Sequence, residues 1–337
     1  MKKVGVLGTG VMGTTHAEAW LKTDASIFAC VSKDEDQAKQ FSEKYHAKIF
    51  PDLENMLPEV DIIDICVPTF LHHKMVLTAA EAGKAIICEK PLSLTVDEGV
   101  KMVKVCHEAG VKLLVGHVVR FFPEYAAARE RVLAGDVGNI SVVRLSREAF
   151  QPFNEKDNWY VDYKKSGGMI QDMMIHDIDY ARWVAGDVIK VFAKNITLST
   201  DFKASFDHAM AILTHANGVI THLECSWAMP KPIFRTSIEI GGSEGLIRYD
   251  SESATPINIS LHKNAEDDHS VGLPGMPMTE SPYTTQIKEF YDAIINDTPT
   301  RVSAEDGLAA VQIARAAIES AKTGHAVEIH HLKEVSA

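Results

Sequence analysis

Near the start of the chain the apolar run Val4-Gly5-Val6-Leu7 passes directly into Gly8-Thr9-Gly10-Val11-Met12-Gly13, and then into the helical stretch His16-Ala17-Glu18-Ala19-Trp20. Strand, G-x-G-x-x-G and helix in that order leave few architectures open, because each glycine answers a separate steric demand. Gly8 permits a tight turn, Gly10 lets the backbone approach a pyrophosphate, and Gly13 lets the helix pack closely on the strand. The helix N-terminus then aims its free N–H groups at phosphate oxygens. A loop of this kind also occurs as a plain strand-to-helix connection. Its setting here favours a dinucleotide site over Gly8, Thr9, Gly10, Val11, Met12 and Gly13.

The same rhythm continues through Ile27–Val31, Ile62–Val67, Ala85–Cys88 and Lys112–Val115, with amphipathic stretches between them. Alternation of strand and helix predicts βαβ units. Several runs are apolar on successive residues, as in parallel strands covered on both faces. The expected class is α/β, with a Rossmann doubly wound parallel sheet over residues 1–121. After Phe122-Pro123 the pattern changes to Ser141–Glu148, Val191–Thr197, Ala209–Thr214, Val219–Ser226 and Thr236–Ile240. Alternation such as Val143-Arg144-Leu145-Ser146-Arg147 predicts a sheet with one face on helices and the other open, a surface that often supports oligomers. Residues 122–337 are therefore read as an α+β domain for substrate and self-association. Asn264–Pro282 lacks periodicity and is expected to be a long loop able to cover an active site. Ala304–Thr323 is expected to be a helix stopping near Gly324 and free to pack back on the first domain.

Composition narrows the partners. A chain of 337 residues has room for two cores. The net charge of -12, with no basic stripe, argues against a nucleic-acid surface. Nowhere do about 18 apolar residues run together, and Met1-Lys2-Lys3 leads into no leader-like segment, so neither a membrane span nor a signal peptide is expected. Five cysteines, Cys30, Cys66, Cys88, Cys106 and Cys225, form no C-x-x-C pair and sit mostly in apolar runs. They read as buried thiols in a reducing, cytoplasmic setting.

About twenty residues beyond the glycines, where an acidic residue would hold the adenosine ribose, the chain carries Ser32 and Lys33. A carboxylate would repel a 2′-phosphate and an ammonium attracts one, so this pair leans slightly towards NADP. If Asp34 or Asp36 reaches the ribose instead, NAD is favoured.

Chemistry-bearing residues cluster in a few places. Lys90, in Glu89-Lys90-Pro91, ends a buried strand, where ligands of parallel sheets bind. It is either a surface lysine paired with Glu89 or a donor that stabilises charge on a substrate oxygen during hydride transfer. Ser166-Gly167-Gly168 opens a helical stretch in which Asp172 and His176 stand four apart, on one face of an α-helix. His176 is the natural proton carrier near neutral pH. Read without that role, His176 is a satisfied histidine at a domain interface, and Asp172, Asp177 and Asp179 solvate or cap the helix. A metal centre is not expected, for want of a further ligand set. His72-His73 follows Val67-Pro68-Thr69 in the loop after another strand, near the expected cofactor crevice. Arg120 contacts cofactor or substrate, or forms an interdomain ion pair; His117 and Trp159 are further substrate candidates.

Taken together, these motifs are similar to those of the glucose-fructose oxidoreductase, inositol dehydrogenase and rhizopine catabolism (Gfo/Idh/MocA) family. The resemblance runs nearly end to end, through Gly8–Gly13, Val67-Pro68-Thr69 with His72, Glu89-Lys90-Pro91, Arg120-Phe121, Gly167-Gly168 into Asp172 and His176, and Gly241–Gly245. Ile175-His176-Asp177-Ile178-Asp179 with Ala181-Arg182-Trp183 resembles the inositol dehydrogenase branch most. The resemblance implies an NAD- or NADP-dependent dehydrogenase acting on a hydroxyl of a cyclic polyol or sugar, with Lys90, Asp172 and His176 as catalytic trio. It also implies a large, mixed, mainly antiparallel second sheet used in homodimer or homotetramer contacts. Ser32 departs from the family's usual acidic residue. Rival expectations on the same fold are a glycosidase using transient oxidation and a nucleotide-sensing regulator without catalysis.

Overall fold

The computed structural model describes residues 1–152, 158–199, 205–230, 232–252, 258–261 and 280–330. They fall into two compact units, one of residues 1–121 with 280–311, the other of the described residues between 122 and 261 with 312–330.

In the first unit six parallel strands pair in the order β3-β2-β1-β4-β5-β6. They are β1 Lys3–Leu7, β2 Ser26–Val31, β3 Lys48–Ile49, β4 Ile62–Ile65, β5 Ala85–Glu89 and β6 Leu113–Gly116. Five of the six match the apolar runs expected from the sequence. The sixth, β3, has only two residues, both exposed, and leaves no periodic signal. Helices α1 Val11–Trp20, α2 Glu35–Tyr45, α3 Leu53–Met56, α4 His72–Glu81 and α5 Val96–Glu108 connect the strands. Residues of β4 and β6 are wholly buried, which is why these strands read as continuous apolar runs. Because β1 pairs with β2 on one side and β4 on the other, the chain reverses its direction of growth at the end of β1. That switch point is where ligands of such sheets bind.

The second unit carries an eight-stranded sheet in the order β13-β12-β11-β7-β10-β9-β8-β14. Its strands are β7 Ile140–Ala149, β8 Val188–Ser199, β9 Ser205–His215, β10 Ile220–Ser226, β11 Phe234–Gly242, β12 Gly245–Asp250, β13 Asn258–Leu261 and β14 Val327–Glu328. The β7–β10 pair is parallel and every other pair antiparallel, giving the mixed, mainly antiparallel sheet that was expected. Helices α6 Pro123–Leu133, α7 Tyr163–Ser166 and α8 Ile175–Ala185 belong to this unit. Along β7 the residues Val143, Leu145 and Arg147 are buried while Arg144 is exposed. On β8, β9 and β10 the large apolar side chains Phe192, Ile196, Met210, Ile212 and Ile220 remain exposed.

Two expectations are refined. First, the start of α10 Ala304–Thr323 belongs with the first unit, as the sequence allowed, and α9 Pro282–Asn296 joins it there. The reason is packing: Phe290 of α9 meets Phe121 edge-on at 5.9 Å, and Tyr291 meets Trp20 of α1 at 6.0 Å. Secondly, Pro282 of the expected loop opens α9, with Pro at a first-turn position where no N–H is missed. The rest of that loop, up to residue 279, lies outside the described residues. Among the described residues no helix is long and apolar enough to cross a membrane.

Candidate active site

Parallel register aligns Val31, Leu7, Ile65, Cys88 and Val115 in one row across the first sheet. The residues that follow them, Ser32, Gly8, Cys66, Glu89 and Gly116, therefore line one edge. The sequence-predicted cofactor residues Gly8–Gly13, Ser32, Lys33, Val67, Pro68, Thr69, His72, Glu89 and Lys90 all lie on this edge, in the turns leaving it or in the first turns of α1 and α4.

The glycine loop has the steric form the sequence demanded. Gly8 has φ +91°, and a Cβ there would stand 2.6 Å from the Cys66 carbonyl oxygen. A Cβ on Gly13 would lie 1.9 Å from the Gly8 carbonyl oxygen, so only glycine lets α1 come this close. Gly10 differs: the nearest atom to a Cβ there is Gln37 Oε1 at 3.9 Å, so the space beside it is open. No side chain caps α1, and its first turn holds no acidic residue. Its leading N–H groups thus face outward, beside the buried Thr9 Oγ1, which has no hydrogen-bond partner among the described residues, and Val11, which is 83 % exposed. These features fit an anionic pyrophosphate on Gly10 with an apolar surface over Val11.

At the end of β2, Asp34 is committed to its own helix. Its carboxylate accepts from the Asp36 and Gln37 amides at the start of α2, while Ser32 Oγ accepts from the Asp34 amide. Lys33 is exposed.

Lys90 is held through its neighbours. The Lys90 amide donates to Glu89 Oε2 at 3.3 Å. Glu89 Oε1 lies 3.1 Å from His16 Nε2, an ion-pair contact not aligned as a hydrogen bond. Gly116, opposite Glu89 in register, makes room for that carboxylate, since a Cβ there would sit 2.6 Å from Glu89 Oε1. On the other side, the His72 ring bridges Pro91 and Val67, with Nδ1 2.9 Å from the Pro91 carbonyl oxygen and Nε2 2.8 Å from that of Val67. Burial pushes the His72 pKa down, although both carbonyls pull the other way.

His16 and Asp64 were not anticipated from the sequence. His16 is 0 % exposed, and its Nδ1 stands 3.0 and 3.1 Å from the two Asp64 oxygens. Trp20 Nε1 donates to Asp64 Oδ2 at 2.7 Å. Burial pushes the His16 pKa down, but Asp64 and Cys66 together more than offset it and hold the imidazole well above its ordinary value. The Cys66 thiol completes the cluster at 3.5 Å from both, pushed up to about 12 by burial and so kept protonated. The available signal was a carboxylate inside the otherwise apolar β4, Ile62-Ile63-Asp64-Ile65, which cannot be buried without a partner.

Two candidates are buried in the first unit. Arg120 is 1 % exposed and pairs with Asp306 at 2.9 Å, its Nη1 also donating to the Arg301 carbonyl. Both of these contacts lie within the first unit. His117 has no exposed surface.

In the second unit Gly167 and Gly168 have φ +78° and +79°, and a Cβ on Gly168 would collide with the Tyr163 ring at 2.3 Å. The continuous α-helix expected next is interrupted, because Ile170–Met174 form a π-helical turn before α8 begins. Asp172 lies in that widened turn and is buried, while His176 lies in the first turn of α8 and is half-buried. Widened turns of this kind recur at functional sites. Asp177 and Asp179 are buried rather than solvated. Asp177 takes a two-pronged ion pair from Arg147 on β7, whose Nη2 also reaches Tyr125 Oη at 3.3 Å. Trp159 stacks on Tyr160 with ring centroids 4.1 Å apart.

Residues 2–117 match the family model described as "Oxidoreductase family, NAD-binding Rossmann fold", and residues 125–248 match the "GFO/IDH/MocA C-terminal domain". An inositol 2-dehydrogenase of Rhizobium meliloti is 30% identical over 330 residues, 94% of this chain and 96% of that protein. A myo-inositol 2-dehydrogenase of Thermotoga maritima is 28% identical over 340 residues, 98% of this chain and 99% of that one. In fold the chain is similar to a levoglucosan dehydrogenase solved with NADH, with a TM-score of 0.86 at 24% identity, covering 98% of this chain and 100% of that one.

Proposed function

The chain belongs to the Gfo/Idh/MocA oxidoreductase family, whose N-terminal part is an NAD-binding Rossmann fold, and from that premise we propose that it oxidises a secondary hydroxyl of a cyclic polyol or sugar. The named activities of its inositol dehydrogenase relatives support this substrate class. The observation that carries the reading is the shared edge of the first sheet, where Glu89-Lys90 emerges in the same row as the open glycine loop.

The nicotinamide ring, when bound, supplies the hydride acceptor. Gly8–Gly13 and the uncapped start of α1 would hold the dinucleotide's pyrophosphate. His176 takes the hydroxyl proton as general base. Lys90 donates to the substrate oxygen and stabilises its negative charge as the carbonyl forms. Asp172, in the widened turn before α8, orients His176.

Ser32 and Lys33 admit a 2′-phosphate, and the engagement of Asp34 in capping α2 supports that lean towards NADP over NAD. The exposed Phe192, Ile196, Met210, Ile212 and Ile220 support a homodimer or homotetramer formed through the open sheet face, with light scattering as the check.

The decisive experiment adds NAD and NADP separately to purified protein with a panel of inositols and aldoses, and follows reduced-nicotinamide absorbance. Turnover with a member of the panel supports the assignment. Binding of both nucleotides without turnover on any member overturns it.

A further inference from the structure

His16, in the interior of α1, has no place in the mechanism above, yet it is buried at the first unit's sheet edge against two carboxylates. It lies on α1 six residues beyond Gly10 and is 0 % exposed. The groups facing it are Asp64 of β4, Cys66 just beyond it, Glu89 of β5 and the Tyr283 ring of α9 at 6.4 Å. Two of these are carboxylates, and the Cys66 thiol stays protonated. A carboxylate sealed from water is costly unless a cation or several donors meet it. One imidazolium meets both, through Nδ1 and Nε2 respectively.

From this geometry we infer that His16, as an imidazolium bridging Asp64 and Glu89, is a positioning residue for Lys90. The bridge joins three pieces of backbone: the helix whose N-terminus faces the phosphates, the buried strand β4, and the end of β5. Glu89 Oε2 accepts the Lys90 amide, so the orientation of the Glu89 carboxylate sets the first backbone bond into Lys90. Gly116 leaves the Glu89 carboxylate room beside β6 without fixing it, and His16 supplies the restraint. With His72 reaching the Pro91 carbonyl, Lys90 is flanked on both sides by residues that a buried histidine holds. A catalytic group displaced by about 1 Å loses on the order of a hundredfold in rate, so restraint at this point matters to turnover. The inference rests on the role of Lys90 proposed above, but its consequences for the protein without cofactor do not.

Two measurements on the full chain test it, with H16Q and E89Q as paired variants so that a folding failure in one leaves the other. The first needs no activity. Nitrogen-15 spectra of His16 show both ring nitrogens protonated at about pH 8, where an ordinary histidine is neutral. Acylation of Lys90 by a lysine-selective reagent, read by mass spectrometry, changes several-fold in H16Q while the exposed Lys33 reacts as before. A neutral His16 ring at that pH, or unchanged Lys90 reactivity in both variants, overturns the proposal. The second is a double-mutant cycle with K90M. If His16 acts through Lys90, H16Q lowers kcat about tenfold or more in the parent and adds little in K90M. An equal fold-loss in both backgrounds overturns the positioning role and leaves the dehydrogenase reading intact. Full turnover by K90M alone would instead remove the proposed part of Lys90, and the reactivity and spectra still decide the bridge.

Discussion

Arg147 and Asp177 meet through two parallel hydrogen bonds, Nε to Oδ2 at 2.8 Å and Nη2 to Oδ1 at 3.0 Å, and the residue before Asp177 is His176. Both side chains are almost wholly buried. The pair fastens the first turn of α8 to β7, so the orientation of His176 depends on a bond made by its neighbour. Removing one partner strands a charge out of water, and R147M is expected to cost about 3 to 5 kcal/mol of stability. Urea unfolding measures that loss, and R147M/D177L should recover much of it by removing the second charge as well. A cost below about 1 kcal/mol for R147M would mean that the pair is hydrated in solution.

Removal of the proton acceptor tests the proposed mechanism directly. H176A should lower kcat by roughly a hundredfold or more while nucleotide affinity stays close to that of the parent. Steady-state kinetics and a nucleotide titration separate the two effects. Unchanged kcat would take His176 out of the reaction.

The glycine loop separates folding from binding. G13A drives a Cβ to within 1.9 Å of the Gly8 carbonyl and should lower Tm by many degrees. G10A meets only open space in the protein alone, with nothing nearer than 3.9 Å, so Tm should hold. The added methyl should nonetheless weaken nucleotide binding at least tenfold if the pyrophosphate passes there. Equal nucleotide affinity in G10A and the parent would place the phosphates elsewhere.

Histidine burial gives stability a pH dependence of defined sign. The folded-state pKa of His16 is raised, so its contribution is complete below the unfolded value of about 6.5 and is lost as pH rises through the folded pKa. His72 and His215 are lowered by burial, so their contribution is present above about 6.5 and is lost as pH falls through their folded pKa values. Stability should therefore decline on both sides of neutrality. H16Q should remove its share of the alkaline decline and leave the acid side in place, as urea midpoints across pH would reveal.

Much of the fold was legible because its signals are local. Five of the six parallel strands were readable as apolar runs, and Gly8 and Gly13 are required by contacts to atoms close in sequence or in the next strand. What escaped has equally specific causes. β3 and β14 have two residues each, too few for any period to show. The π-helical turn at Ile170–Met174 has no distinct residue pattern, and an i, i+4 reading of Asp172 and His176 presumed an α-helix throughout. Arg147 carried a signal that went unused: it shares the parity of Val143 and Leu145 along β7, which sends a charged side chain inward and so requires a buried partner.

The sequence by itself determined the class of fold and the steric form of the glycine loop. These follow from steric permission at glycine and from short-period burial, which are properties of neighbouring residues. Tertiary structure alone decided which carboxylate meets which cation: His16 with Asp64 and Glu89, 48 and 73 residues away, Arg147 with Asp177, and Arg120 with Asp306. A buried charge dictates only that some partner must exist. Which partner it finds depends on how strands and helices distant in the chain come to pack, and no local pattern records that choice.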